Sequence, residues 1–275
     1  MPIYDNNILT GVPEGYKLVW SDDFEGNAVD TKKWCFKPHM CGQKDLNLYN
    51  DERAVKVEDG CVNLFSNRDG DGMFSTNVSL STAETMVFKY GYLEMCAKVP
   101  MNRPAFPSFW MQSSTHKATA PDVMGEIDIF EYFSTPETYL QTGIHKWYRE
   151  DPKDHFLCPH IGRAHFESNL IGESWHRYAL WWTPEKLRFL VDGQIYHTID
   201  ITEASNFGER EGSNMNCFHD YYYIIFNNYL MTPVFSKGNH DIEVKDSDVF
   251  PINYKIDYVR LYQKPDEGGV EILSK

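Results

Sequence analysis

The chain has 275 residues, a formal net charge of −14 and 15% aromatic side chains. That length suits one large β domain, and acids spread along the whole chain exclude nucleic acid and an anionic membrane surface as expected partners. No run of about 18 apolar residues occurs, which excludes a membrane-spanning helix.

Residues 1–15 form a polar leader without the basic and apolar regions of a signal peptide. The chain therefore reads as cytoplasmic, or as extracellular if an export signal has been removed. Tyr16 to Trp20 opens an aromatic strand that ends at Ser21-Asp22-Asp23. Val55 to Val57, Asp59-Gly60 and Val62 to Phe65 predict a hairpin, because Asp-Gly supplies the positive φ angles of a tight primed turn. Asp69 to Gly72 predicts another turn. From Met86 to Val99 the pattern alternates: Leu93, Met95, Ala97 and Val99 share one face, while Tyr90, Tyr92, Glu94 and Lys98 share the other. Pro100, Pro104 and Pro107 interrupt the chain before Phe109-Trp110-Met111, and a polar loop runs from Gln112 to Met124.

Gln141 to Trp147 predicts a further strand, followed by a long irregular insertion from Tyr148 to Asn169. Within it His155, Cys158, His160 and His165 match no zinc-site spacing and read as loop residues. Trp175 to Trp182, Leu187 to Val191 and Ile195 to Ile199 predict strands, the last two joined at Asp192-Gly193. Thr202 to Gly208 predicts a short helix, and Tyr221 to Tyr229 and Tyr254 to Tyr262 two more strands. Many short strands with almost no helical periodicity predict an all-β sandwich, with a single domain over residues 16–264 and a tail over 265–275. The six cysteines contain no C-x-x-C pair and read as thiols, although Cys35 and Cys41 are close enough in sequence to bridge in an oxidising compartment.

The chemistry concentrates in Gly125-Glu126-Ile127-Asp128-Ile129-Phe130-Glu131. On a regular strand Glu126 and Asp128 face one side, and Ile127 and Ile129 the other. Glu131 breaks that parity. A β-bulge of one residue near Ile129 or Phe130 would return it to the acidic face. Crowded acids raise one another's pKa, and one neutral plus one ionised carboxyl is what cleavage of a glycosidic bond needs.

This stretch resembles the E-[IV]-D-x-x-E signature of glycoside hydrolase family 16 in its bulged form. Leu18 to Phe24, Lys89 to Glu94, Tyr178 to Pro184, Arg188 to Gly193 and Ile256 to Tyr262 resemble the family's other strands, in the family's order. The resemblance implies a concanavalin-like β-jelly roll of two stacked antiparallel sheets with a concave cleft. It implies a retaining endo-β-glycosidase that binds a polysaccharide or oligosaccharide and works as a monomer. Glu126 would be the nucleophile, Glu131 the general acid/base, and Asp128 the residue that orients or tunes Glu126. Substrate contacts carried over by position are Glu94, Trp110, His145, Trp147, Asn227 and Tyr229. No cofactor is implied for catalysis; a structural calcium is, near Asp23, Gly60 and Asp257.

Two departures bear on the sugar. Ala120 to Met124 lacks the Trp-Pro that the family's β-1,3-glucanases usually carry, and Phe109 to Ser113 is closer to its galactan-cleaving members. The expected substrate is β-1,3- or β-1,3-1,4-glucan. The alternatives are a β-galactan of the agarose, porphyran or carrageenan type, transglycosylation, or a non-catalytic binding module.

Overall fold

The computed structural model describes residues 11–38, 46–70, 73–134, 139–148, 155–157, 162–165, 174–202 and 215–273. Two ten-stranded sheets dominate. The first contains β1 (Lys17–Asp22), β3 (Leu46–Tyr49), β4 (Val55–Glu58), β5 (Cys61–Arg68), β6 (Phe74–Asn77) and β9 (Gly91–Lys98). It is completed by β15 (His176–Trp182), β16 (Lys186–Val191), β17 (Gln194–Asp200) and β19 (Ile252–Gln263). The second contains β2 (Cys35–Phe36), β7 (Leu80–Ser81), β8 (Met86–Lys89), β10 (Ala105–Ser113) and β11 (Val123–Glu131). Its remaining strands are β12 (Tyr139–Tyr148), β13 (His155–Leu157), β14 (Gly162–His165), β18 (Tyr222–Leu230) and β20 (Gly269–Ile272). Every pairing is antiparallel except β3 with β6. This is the jelly-roll sandwich that the strand pattern predicts. A four-residue helix (Pro233–Ser236) and a 3-10 turn (Asn216–His219) are the helical elements among the described residues, where no helix is long and apolar enough to cross a membrane.

The core lies between the sheets. Leu93, Met95, Ala97 and Val99 meet Ile127, Ile129, Phe130, Phe109 and Ile224 there, all buried in one apolar cluster. Period-two alternation puts these residues on one face of their strands, and their removal from water drives the sheets together. The Asp59-Gly60 turn forms as predicted, with φ of 53° and 68° at its two residues.

Several elements differ from the sequence expectation. Met86 to Val99 is two strands in different sheets: β8 pairs with β18 and β20 in the second, β9 with β15 and β19 in the first. The crossing takes place at Tyr90 and Gly91, whose φ angles are 58° and 136°. The stretch after Tyr148 is not wholly irregular, since β13 and β14 both pair with β12. Gly269–Ile272, expected in a tail, adds a strand to β8. Val12, within the stretch expected to be a leader, packs with Tyr16 on an apolar cluster of Tyr92, Ala179 and Leu190. Cys41, Cys158, His160 and the helix expected up to Gly208 lie outside the described residues.

Gly91 is required where the chain changes sheets. A Cβ there would come within 2.7 Å of the Tyr262 carbonyl oxygen, and its φ of 136° is strained for any L side chain. Gly91→Ala is expected to destabilise the fold by about 1–3 kcal/mol, read as a lowered midpoint in urea with an unchanged slope; an unchanged midpoint would contradict this.

Candidate active site

The site is built on the outer face of the second sheet by strand register. Glu126 sits opposite His145 on β12 and Gln112 on β10; Asp128 sits opposite Gly143 and Trp110; Glu131 sits opposite Gln141 and Ser108. From Asp128 to Glu131 β11 advances three residues while each neighbouring strand advances two, so one residue, Ile129, is extra. This is the bulge that the parity of Glu131 demands. Ile127, Ile129 and Phe130 all turn into the core, and the three carboxyls share the other face. Gly143 contributes no side chain beside Asp128, and a Cβ there would meet nothing within 4 Å, which leaves open space at the centre of the acid row.

His145 holds the first two acids together. Its Nε2 lies 3.2 Å from Asp128 Oδ2 and 3.9 Å from Glu126 Oε1. Trp147 stacks on the imidazole, with centroids 5.7 Å apart and planes at 10°, and donates from Nε1 to Glu126 Oε2 at 3.0 Å. The Glu126 side chain keeps 14% of its surface exposed, against 4% for Asp128.

All three carboxyls are pushed above the ordinary range. For Glu126 burial is the main cause, followed by the Asp128 charge; His145 and the Trp147 hydrogen bond oppose it. Burial lifts Asp128 to about 8. Glu131 is raised by burial and then by Asp128, with His145 and Lys237 opposing. Two contacts that favour the ionised form, His145 and the Trp147 hydrogen bond, thus converge on Glu126 against the charges of Asp128 and Glu131.

The loop before β11 is tied down from below. Asp220, buried, accepts from Thr119 N and Thr119 Oγ1, both at 2.6 Å, and from Ala120 N at 3.2 Å. Gly125 N donates to Ser113 Oγ at 2.9 Å. A Cβ on Gly125 would overlap the Tyr222 hydroxyl at 2.0 Å, so this position before Glu126 has no room for a side chain.

The other expected site residues separate into three groups. His145 and Trp147 stand on the acidic face beside Glu126. Trp110 and Asn227 lie on the same face but are buried, at 6% and 0% exposure, with Trp110 Nε1 donating to Asn227 Oδ1 at 3.1 Å. Tyr229 is likewise fully buried, packed with Phe106, Met231 and Ile242 and hydrogen-bonded through its hydroxyl to Ser79 Oγ at 2.5 Å, so its ring cannot lie against a sugar.

Glu94 is a correction. It belongs to the first sheet, and because Leu93 and Met95 face the core, Glu94 points to the far side of the sandwich. There it is 5% exposed, accepts from Tyr92 at 3.1 Å and Tyr258 at 2.8 Å, and lies 3.9 Å from Arg177. Two residues that sequence reasoning missed lie in the row that runs from Glu126: Gln112 pairs with it across β10, and Tyr223 on β18 pairs with Gln112 and donates to its Oε1. The signal was available, since Gln112 shares the parity of Trp110 and Tyr223 that of Asn227.

The residues expected around calcium belong to the first sheet. Gly60 is in the β4–β5 turn, and Asp257 falls at a register shift of β19, half-buried. Asp23 spends its carboxylate on Arg260, whose Nε donates to Oδ1 at 2.9 Å. Asp257 would offer a cation its carboxylate and Asp23 and Gly60 backbone oxygens, the hard oxygen donors that calcium takes. Among the described residues, the one set of acidic, His or Cys ligand atoms gathered within 4.8 Å is Glu126, Asp128 and His145.

The raised pKa of Asp128 has a consequence for stability. A carboxyl raised to about 8 in the native state keeps its proton while the unfolded one, near 3.8, has lost it. Its contribution is complete below pH 4 and is lost as pH rises towards 8. Asp128→Asn cannot ionise, so its Tm relative to the native sequence is expected to rise between pH 4 and pH 8. A difference that stays constant across that range, measured by calorimetry, would contradict the assignment.

Residues 42–217, more than half of the chain, match the sequence profile of glycosyl hydrolases family 16. The clotting factor G alpha subunit of Tachypleus tridentatus is 28% identical over 256 residues, covering 90% of this chain; the chain spans 34% of that protein's length. A beta-glucanase of Rhodothermus marinus is 27% identical over 258 residues, covering 90% of this chain and 85% of the relative. Among solved structures, the laminarinase of Flavobacterium sp. UMI-01 superposes with a TM-score of 0.71 at 26% identity, covering 90% of this chain and 100% of the other. Fold, profile and the bulged acidic strand agree, and the chain belongs to glycosyl hydrolases family 16.

Proposed function

We propose that this chain is a retaining endo-β-glycosidase that hydrolyses β-1,3- or β-1,3-1,4-glucan, with Glu126 as nucleophile and Glu131 as general acid/base. The observation that carries the reading is the bulge at Ile129, which gathers three carboxyls with raised pKa on one open face. In the first step a Glu126 oxygen attacks the anomeric carbon. The bond to the leaving oxygen breaks, and Glu131 gives that oxygen its proton. In the second a water attacks the same carbon and delivers its proton to Glu131, and the bond to Glu126 breaks, restoring both groups.

The electrostatics suit this division. Trp147 and His145 favour a carboxylate on Glu126 before attack. Asp128 lies 3.2 Å from His145 Nε2 and holds the ring in place beside Glu126. Once Glu126 is esterified its charge is gone, and the pressure that kept Glu131 protonated falls, so Glu131 can serve as the base. A retaining geometry places the two carboxyls about 5–5.5 Å apart. Five residues of straight strand would separate their α-carbons by ~16 Å, so bulge and side-chain reach must close the interval.

A glucan is supported by the names of the relatives: one is a beta-glucanase and one a laminarinase. The stretch Ala120 to Met124, without the Trp-Pro usual in β-1,3-glucanases, keeps β-galactan as the second reading. Calcium, if held by Asp257 and neighbouring backbone oxygens on the first sheet, takes no part in the reaction proposed.

The test is incubation with laminarin, mixed-linkage glucan, agarose, porphyran and κ-carrageenan, with products sized and their first-formed anomer read by NMR. Laminarin or mixed-linkage glucan is expected to yield oligosaccharides of β configuration. Glu126→Gln is expected to lower that rate by roughly 10⁴-fold with an unchanged far-ultraviolet spectrum. Cleavage of a galactan alone would move the substrate; native turnover by the variant would refute the nucleophile.

A further inference from the structure

A bulge buys its geometry with unpaired backbone. Ile129 and Phe130 have no partner on β12, because the register passes from Asp128–Gly143 directly to Glu131–Gln141. These residues are buried, and a buried carbonyl without a donor is costly. Two carbonyls at the bulge are met by side chains from outside β11. Thr142 Oγ1, itself 1% exposed, donates to the Asp128 carbonyl. The Tyr196 hydroxyl donates to the Ile129 carbonyl at 3.3 Å. The two hydroxyls also lie within hydrogen-bonding reach of each other.

Tyr196 comes from the opposite sheet. It stands on β17, the outermost strand of the first sheet, and it is itself the extra residue of a second bulge: Phe189 pairs with His197 and Leu190 with Ile195, leaving Tyr196 unpaired between them. Its ring packs against the main core. One bulge thus aims the phenol that satisfies the other. We infer that Tyr196, with Thr142, is a positioning residue that latches the β11 bulge across the sandwich and so holds Glu131 on the acidic face.

The physical alternative for β11 shows what the latch prevents. Without a donor, the Ile129 carbonyl regains a partner most cheaply if the extra residue is expelled and the ladder re-forms. A one-residue slip moves every following side chain to the other face. Glu131 would then leave the side of Glu126 and Asp128, while the residues up to Asp128 keep their register. The inference rests on the proposed role of Glu131, and its test is chosen to separate the two.

Tyr196→Phe removes the hydroxyl and leaves the packed ring. With ¹³C-carboxyl labelling, the Glu131 titration is followed in both proteins. The groups that face it are Glu126 and Asp128 on its own strand, His145 on β12 and Lys237 after the short helix, and all are left in place. The Glu131 midpoint is expected to shift further up in the variant, because the slip turns the carboxyl from the acidic face towards the apolar core. Amide exchange at Phe130, Glu131 and Tyr132 is expected to quicken by about 10-fold, with the other β11 amides unchanged. On a glycan that the native sequence cleaves, kcat is expected to drop by about 10-fold at unchanged KM. Thr142→Val is expected to act likewise and Thr142→Ser to retain native values. An unmoved Glu131 midpoint together with native exchange in Tyr196→Phe would overturn the latch, whether or not the enzyme turns over. A native protein inert on every glycan, with the midpoint shifted in the variant, would sustain the latch and sink the catalytic reading instead.

Discussion

The residue inserted at Ile129 is the constraint on which the acidic face depends. A strand has two faces and a strict alternation, so three acids at positions 126, 128 and 131 cannot share a side without one extra residue between the second and third. Two liabilities follow from the insertion: carbonyls cut off from the ladder, and like charges brought together in a partly dry place. Each is met by a specific partner. Thr142 and Tyr196 take the carbonyls, while His145 and Trp147 take up the negative charge nearest the surface. What the local partners leave uncompensated is the raised proton affinity of all three carboxyls. That residue of unfavourable electrostatics is the usual mark of a site kept for chemistry at the expense of stability.

The sandwich divides the labour between its sheets. The second sheet carries the acids and the aromatic residues beside them. The first supplies the opposing core surface and, through Tyr196, a polar reach across it to the bulge. Its own outer face holds a buried carboxylate, Glu94, fully engaged by Tyr92, Tyr258 and Arg177. Burial and the Glu94 charge push the Tyr92 hydroxyl up, which keeps that phenol a donor to Glu94. This cluster is a structural fastening between β9, β15 and β19, and it is remote from the acidic strand.

Alternation within a strand was legible in the amino-acid order; membership of a sheet was not. Leu93, Met95, Ala97 and Val99 were rightly read as a core face, and Glu131 was rightly read as requiring a bulge, because both follow from parity alone. Glu94 shares its parity with Tyr90 and Tyr92 just as read, but parity does not say which sheet a strand joins. The crossing at Tyr90 and Gly91 sends β9 to the other side of the core. Depth was equally hidden. Tyr229 and Asn227 occupy the expected face, yet the packing of Phe106, Met231 and Ile242 covers Tyr229, and that arrangement depends on segments distant in sequence. The role of Tyr196 could not have been found at all without the fold, since 67 residues separate it from the carbonyl it bonds.

Tyr222 passes its ring across the core and places its hydroxyl where a side chain at position 125 would begin, with the Cys217 carbonyl as its acceptor at 3.0 Å. The smallest residue and one of the largest therefore fill a single volume between them. Neither can be exchanged alone: enlarging residue 125 demands a shorter ring at 222, and shortening the ring opens a void behind Glu126 that glycine cannot fill. Evolution of the strand that bears the acids is in this way tied to β18, and the two positions are free to drift only as a pair.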